Sequence, residues 1–207
     1  MADERTLRFV FKPAVFAVCL IPLGLLVWNG LTGNLGANPI EATNRFLGDW
    51  ALRFILIALA VTPVRILTRW NPIMRFRRML GLFAFAYVCL HLTSYVALDQ
   101  FFDWAAIWKD IVKRWYITVG MAAFVLLIPL AVTSTKGWIK RIGGKTWQNL
   151  HKLVYAAAVL AVFHFYMLVK ADVREPLIYA GILAGLFLIR YLDYWRKRST
   201  ALSRARI

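Results

Sequence analysis

The sequence predicts an all-α membrane protein with six transmembrane helices and both termini on the cytoplasmic side. Three observations predict it. Hydrophobic residues make up 61% of the 207 residues and charged ones 17%, against about half and a quarter in a soluble domain. The apolar residues gather in six runs, each near the roughly 20 residues that a helix needs to cross a bilayer. The formal charge of +16 collects on alternate connections instead of spreading along the chain.

Backbone groups in lipid must be paired internally, so each run is read as a helix. The first is Phe9–Trp28, too long for a signal-peptide core and without a clear small-residue cleavage site, so it is expected to stay as a helix. The second, Phe46–Leu67, has Pro63 near its end, which predicts a local kink. It also holds Arg53, the one basic residue clearly inside a helix. The third is Met79–Leu98 and the fourth Trp115–Thr133, where Pro129 predicts another kink. The fifth is His151–Leu168. The sixth, Leu177–Leu192, follows Pro176 and contains Gly181 and Gly185, a small-xxx-small spacing that implies close helix packing. Cys19 and Cys89 lie inside apolar runs, where a thiol stays protonated, and no disulfide is expected. A single domain, residues 1–207, leaves no room for a nucleotide-binding fold, and no Gly-rich phosphate loop is present.

The charges set the orientation. One face receives Arg5, Arg8 and Lys12, then Arg65, Arg69, Arg75, Arg77 and Arg78. It also receives Lys136, Lys140, Arg141, Lys145 and Lys152, and finally Arg190, Arg196, Lys197, Arg198, Arg204 and Arg206. Only Asp3, Glu4 and Asp193 oppose them. On the other face Arg45, Arg53, Lys109, Lys113, Arg114, Lys170 and Arg174 are matched by Glu41, Asp49, Asp99, Asp103, Asp110, Asp172 and Glu175. The net charge therefore lies on one side, cytoplasmic by the positive-inside rule. Topogenic charge beside anionic lipid explains the basic clusters without nucleic acid.

The chain has three histidines, His91, His151 and His164. Polar groups at membrane depth are functional candidates, and imidazole is a usual axial ligand of haem. His91 lies about 18 Å along its helix from Met79, and His164 about 20 Å along its own from His151. Both helices run from inside to outside, so the two imidazoles share one depth in the outer half of the core. They can clamp one iron, as in a six-coordinate b-type haem suited to electron transfer. The alternative is a pair of structural histidines bonded to neighbouring helices. His151 lies at the cytoplasmic mouth of the fifth run, about 220° from His164 on an ideal helix. It ligates a second, inner haem, positions a quinone head group, or faces the interface. The position opposite it on the third run is Arg77, followed by Arg78, and guanidinium groups there suit haem propionates rather than iron. Arg53 either pairs with a propionate of the outer haem or snorkels to the interface. Tyr95, Phe163, Phe165 and Tyr166 wall the macrocycle or pack against lipid. No C-x-x-C-H motif is present, which disfavours haem c.

Longer motifs add a resemblance. Arg77-Arg78-Met79-Leu80-Gly81-Leu82 followed by Leu90-His91-Leu92-Thr93-Ser94-Tyr95 resembles the MsrQ (YedZ) family, within the wider ferric-reductase-like transmembrane group. So do Gly36-Ala37-Asn38-Pro39, Leu59-Ala60-Val61-Thr62-Pro63, Leu130-Ala131-Val132-Thr133-Ser134-Thr135, Trp147-Gln148-Asn149-Leu150-His151 and Pro176-Leu177-Ile178-Tyr179-Ala180-Gly181. The resemblance implies a haem-binding subunit of the bacterial inner membrane. Its electrons come from the quinone pool or a cytoplasmic-side flavin reductase. They pass through haem b to a periplasmic molybdopterin enzyme, MsrP, which repairs oxidised methionines of envelope proteins. The subunit carries electrons and is not itself the methionine-sulfoxide reductase. The resemblance also implies FMN, for which the sequence offers no recognisable site. The wider group often carries two histidines on each of the third and fifth helices, and this chain lacks the inner one on the third. Two other readings compete: a stand-alone cytochrome b reducing ferric iron or oxygen, and a haem-free scaffold or transporter. A transporter would more often show an internal repeat or paired acidic groups at mid-depth.

The charge count makes a direct prediction. Reporter fusions at Asp103 and Val173 should read periplasmic, and those at Asn71, Gly143 and the C-terminus cytoplasmic. A cytoplasmic signal from Asp103 would overturn the orientation.

Overall fold

The computed structural model describes residues 4–169 and 171–204. Asp3, Lys170 and Arg206, which enter the charge count, lie outside them. The described residues form helices joined by turns, with no strand. Six stretches are long and apolar enough to cross a membrane: Phe9–Leu31, Pro39–Thr68, Arg77–Asp99, Trp115–Val132, Gly144–Leu168 and Arg174–Leu202. Each matches one of the six apolar runs, the fourth ending one residue short at Val132.

The elements are α1 (Lys12–Leu31), which continues a π-helical turn at Leu7–Phe11, then α2 (Pro39–Thr68), α3 (Arg77–Ser94) and the short α4 (Trp104–Lys113). They continue with α5 (Trp115–Val132), α6 (Lys136–Ile142), α7 (Gly144–Leu150), α8 (Leu153–Leu168) and α9 (Arg174–Arg204). Several boundaries differ from the hydropathy reading. Helix α2 starts at Pro39, because Asn38 accepts the Glu41 N–H as an N-cap and Glu41 pairs with Arg45 at 2.7 Å one turn on. Helix α9 continues to Arg204, with Asp193 holding Arg196 at 2.8 Å and Lys197 at 2.6 Å. These turns are polar, so they are helical without being apolar. The connection before α5, which lies between two apolar runs, contains α4. Phe101 and Phe102 turn the chain with φ of 47° and 62°, and Asp103 caps α4 by accepting from Ala106 N–H. Ile107 of α4 is buried while Trp104 and Trp108 are exposed, the pattern of a helix lying at an interface.

Two helix pairs pack most closely, α2 with α3 and α5 with α8. The core joins Phe54, Ile55 and Leu59 of α2 to Phe83, Ala84 and Tyr87 of α3, and to Ala157 and Ala158 of α8. Small residues such as these alanines let helices approach without large side chains between them. Cys19 and Cys89 are both free. The expectation for Gly181 and Gly185 fails: a Cβ at either would meet nothing within 4 Å, so among the described residues no other helix packs closely there. Gly181 is exposed and Gly185 half-buried.

Pro63 shows how a missing backbone donor is replaced. In a regular helix its N–H would bond the Leu59 carbonyl, but proline has none. Arg190 of α9 donates to that carbonyl at 2.7 Å and to the Tyr155 hydroxyl at 3.0 Å, tying α9 to α2 and α8. The Tyr87 hydroxyl ties α3 to α1 in a different way, standing between Leu23 N–H and the Cys19 carbonyl: it donates to the carbonyl at 2.9 Å and accepts from the N–H at 3.2 Å.

Arg190→Met should therefore destabilise the protein by about 1.5–3 kcal/mol, the range for charged hydrogen bonds, read as thermal unfolding in detergent. In a Pro63→Ala background the loss should shrink, because the substituted alanine restores an N–H donor to the Leu59 carbonyl. Equal losses in both backgrounds would contradict this account.

Candidate functional site

His91 lies near the end of α3 and His164 near the end of α8. The two ring centroids are 6.4 Å apart, with 69° between the ring planes. Both side chains are half-buried. The fold thus brings together the two histidines that the sequence placed at one depth, one from each close helix pair.

Each imidazole is held by the other helix of its own pair. His91 Nδ1 lies 3.0 Å from the Asn44 carbonyl of α2, and His164 Nδ1 lies 2.6 Å from the Tyr116 carbonyl of α5. A carbonyl can only accept, so Nδ1 carries the proton on both rings. This tautomer leaves Nε2 with its lone pair, the arrangement that orients a metal-ligating histidine. Asn44 also uses its side chain: Nδ2 donates to Ser94 Oγ at 3.0 Å and to the His91 carbonyl at 3.4 Å. Buried Ser94 donates to the same carbonyl at 2.8 Å. Asn44 and Ser94 do not stand out in the sequence, because their role depends on a contact between helices.

Haem fits these donors on two grounds. Metal–imidazole bonds of about 2 Å on either side of one iron would set the ring centroids roughly 6 Å apart. The donor set also fits: among the described residues no three of His, Cys, Asp and Glu gather to hold a bare metal ion. Two imidazoles suit an iron whose other four ligands come from a macrocycle.

The other expected residues are placed as follows. Arg53 Nε donates to the Tyr179 hydroxyl at 2.8 Å, and its guanidinium lies 3.7 Å from Glu175 and over the Trp50 ring at 5.0 Å. It is thereby engaged with α9 and with its own helix. Arg77 is half-buried and Arg78 exposed. His151 caps the end of α7, where the chain breaks before α8. Its Nε2 lies 3.1 Å from Thr133 Oγ1 and its ring stacks on Trp147 at 3.9 Å. Trp147 in turn donates to the Thr133 carbonyl at 2.9 Å. With the other two histidines already paired, His151 has no imidazole partner.

The aromatic candidates divide. Tyr95 donates to Asp110 of α4 at 3.2 Å, and Phe165 packs against Tyr179 at 5.9 Å. Phe163 and Tyr166 are exposed on the apolar outside of α8. Leu92, Tyr95 and Met121 line an apolar cleft of about 450 Å³ with Ile107, Trp108 and Ile111 of α4.

Residues 47–162 match the family described as "Ferric reductase like transmembrane component". The chain is 61% identical to the "Protein-methionine-sulfoxide reductase heme-binding subunit MsrQ" of Rhodospirillum rubrum, over 89% of either chain. It is 52% identical to the MsrQ of Caulobacter vibrioides, over 90% of this chain and 88% of that one. It is 48% identical to the MsrQ of Xanthomonas euvesicatoria pv. vesicatoria, over all of this chain and 95% of that relative. The chain belongs to the MsrQ family, within the ferric-reductase-like transmembrane group.

Proposed function

We propose that this MsrQ-family chain binds one b-type haem between His91 and His164 and serves as the membrane electron-transfer subunit of a methionine-sulfoxide reductase system. The carrying observation is the imidazole pair itself: two rings 6.4 Å apart, each with Nδ1 tied to a backbone carbonyl. The relatives' printed name, a haem-binding subunit, supports the same cofactor.

His91 and His164 would hold the iron through their Nε2 atoms, and the Asn44 and Tyr116 carbonyls keep both rings in the tautomer that leaves Nε2 free. A b-type haem bound there supplies reversible one-electron iron chemistry. Rings anchored to backbone carbonyls would move little between the oxidation states of an iron held there, which suits electron transfer. The surrounding helices keep the site largely out of water. The chain makes and breaks no substrate bonds.

The complex lies in the bacterial inner membrane with the histidine pair toward the periplasm. Electrons enter from the quinone pool or a cytoplasmic-side flavin reductase. They leave to a periplasmic molybdopterin reductase of the MsrP type, docked over residues 99–114. The exposed aromatic rings of α4 and its polar face, Lys109 and Lys113 with Asp103, lie at that end. At the other end, His151, Thr133 and Trp147 form a polar group toward the donor side.

His91→Ala and His164→Ala should each abolish the same low-spin haem signal in the purified protein. A normal bis-imidazole spectrum in either variant would contradict the axial assignment. His151→Ala should keep that signal and a haem content of about one per chain, while slowing reduction by the native donor. Loss of all haem from a still-folded His151→Ala protein would place His151 in the principal site and overturn this reading.

A further inference from the structure

We propose that Gly48 and Gly120 are positioning residues for the two imidazoles, a single device used twice. The inference rests on the reading that His91 and His164 are the axial ligands. A Cβ built on Gly48 would lie 3.1 Å from His91 Cε1 and 3.2 Å from its Nδ1. One built on Gly120 would lie 2.8 Å from His164 Nδ1 and 3.0 Å from its Cε1. No other glycine of the chain would bring a Cβ this close to any group.

The spacing explains why. Gly48 follows Asn44 by one helical step of four, and Gly120 follows Tyr116 by the same step. In an α-helix the N–H at i+4 bonds the carbonyl at i, and the Cβ at i+4 tilts back toward the helix N-terminus. An imidazole that shares the carbonyl at i must therefore occupy the space where that Cβ would project. Each carbonyl uses its second lone pair for the ring. Only glycine at i+4 leaves the ring room to reach it.

The arrangement repeats on both sides of the site. Asn44 and Gly48 of α2 hold His91 of α3, while Tyr116 and Gly120 of α5 hold His164 of α8. The helix pairs that carry the device are the two that pack most closely. A methyl group at 48 or 120 would push its imidazole off the carbonyl, rotating or withdrawing Nε2. The closer contact makes position 120 the more sensitive. Glycine otherwise weakens a helix interior, so its presence in these two helices is accounted for by the ring it admits.

The test compares Gly48→Ala and Gly120→Ala with Gly24→Ala and Gly81→Ala, where an added Cβ meets nothing within 4 Å. His91→Ala and His164→Ala are measured alongside. The readouts are haem content, the electron paramagnetic resonance g-values of the ferric protein, and the reduction potential. Gly120→Ala should lose the low-spin signal, and Gly48→Ala should retain haem with shifted g-values and potential. Both control variants should match the parent protein. Should Gly120→Ala fail to fold, the Gly48→Ala spectrum decides alone. Parental g-values and potential in Gly48→Ala, or equal shifts in the controls, would overturn the proposal while the axial reading stands. An unchanged low-spin signal in a histidine variant would instead refute the axial reading, and the proposal with it.

Discussion

A nitrogen without a partner is costly in hydrocarbon, and this constraint governs how the histidines are built into the helices. Each ring has one nitrogen satisfied by a backbone carbonyl of the neighbouring helix. That carbonyl already serves its own helix, so the ring must approach a helix surface closely. Close approach requires tight pairing of α2 with α3 and of α5 with α8. It also requires glycine where a side chain would begin. The second nitrogen on each ring is then the one left to be used. Two such rings from two helix pairs, brought within 6.4 Å, form a socket that neither pair could make alone.

The same accounting applies at one proline. Pro63 leaves the Leu59 carbonyl without its helical donor, and Arg190 supplies one across the bundle. A residue counted from sequence as topogenic charge is thereby also a structural tie between three helices. Arg53 is similar near the other end, where it joins α2 to Tyr179 and Glu175 of α9. Arg190 and Arg53 thus each tie α2 to α9 through polar contacts, one near either end of the bundle.

Much of this is legible in the sequence. Six spans follow from hydropathy because the bilayer demands long apolar helices, and the depth of His91 and His164 follows from helical rise. What hydropathy misses is polar helix. The capped start of α2, the far end of α9 and the amphipathic α4 are helical through capping, ion pairs and one-sided burial rather than apolar length. The carbonyl partners, Asn44 and Tyr116, are hidden because their contribution is backbone and their contacts span many residues of sequence. Gly48 and Gly120 do carry a local signal, each being a glycine inside an apolar helix. The same signal at Gly181 and Gly185 marks no close contact within this chain, so only the fold separates the two cases. His151 stands at a helix end, as its position in the sequence suggests. Its break from α8, its stacking on Trp147 and its bond to Thr133 depend on tertiary structure.

The central claim is that one iron is held by two imidazoles whose planes are strongly crossed, 69° apart in this structure. The most direct measurement is low-temperature electron paramagnetic resonance of the oxidised, haem-loaded protein, with near-infrared magnetic circular dichroism on the same sample. Two neutral imidazoles should produce the bis-histidine charge-transfer band, and crossed planes should produce a highly anisotropic low-spin signal with one large g-value. A high-spin ferric signal, or a charge-transfer band from any other ligand pair, would contradict the account.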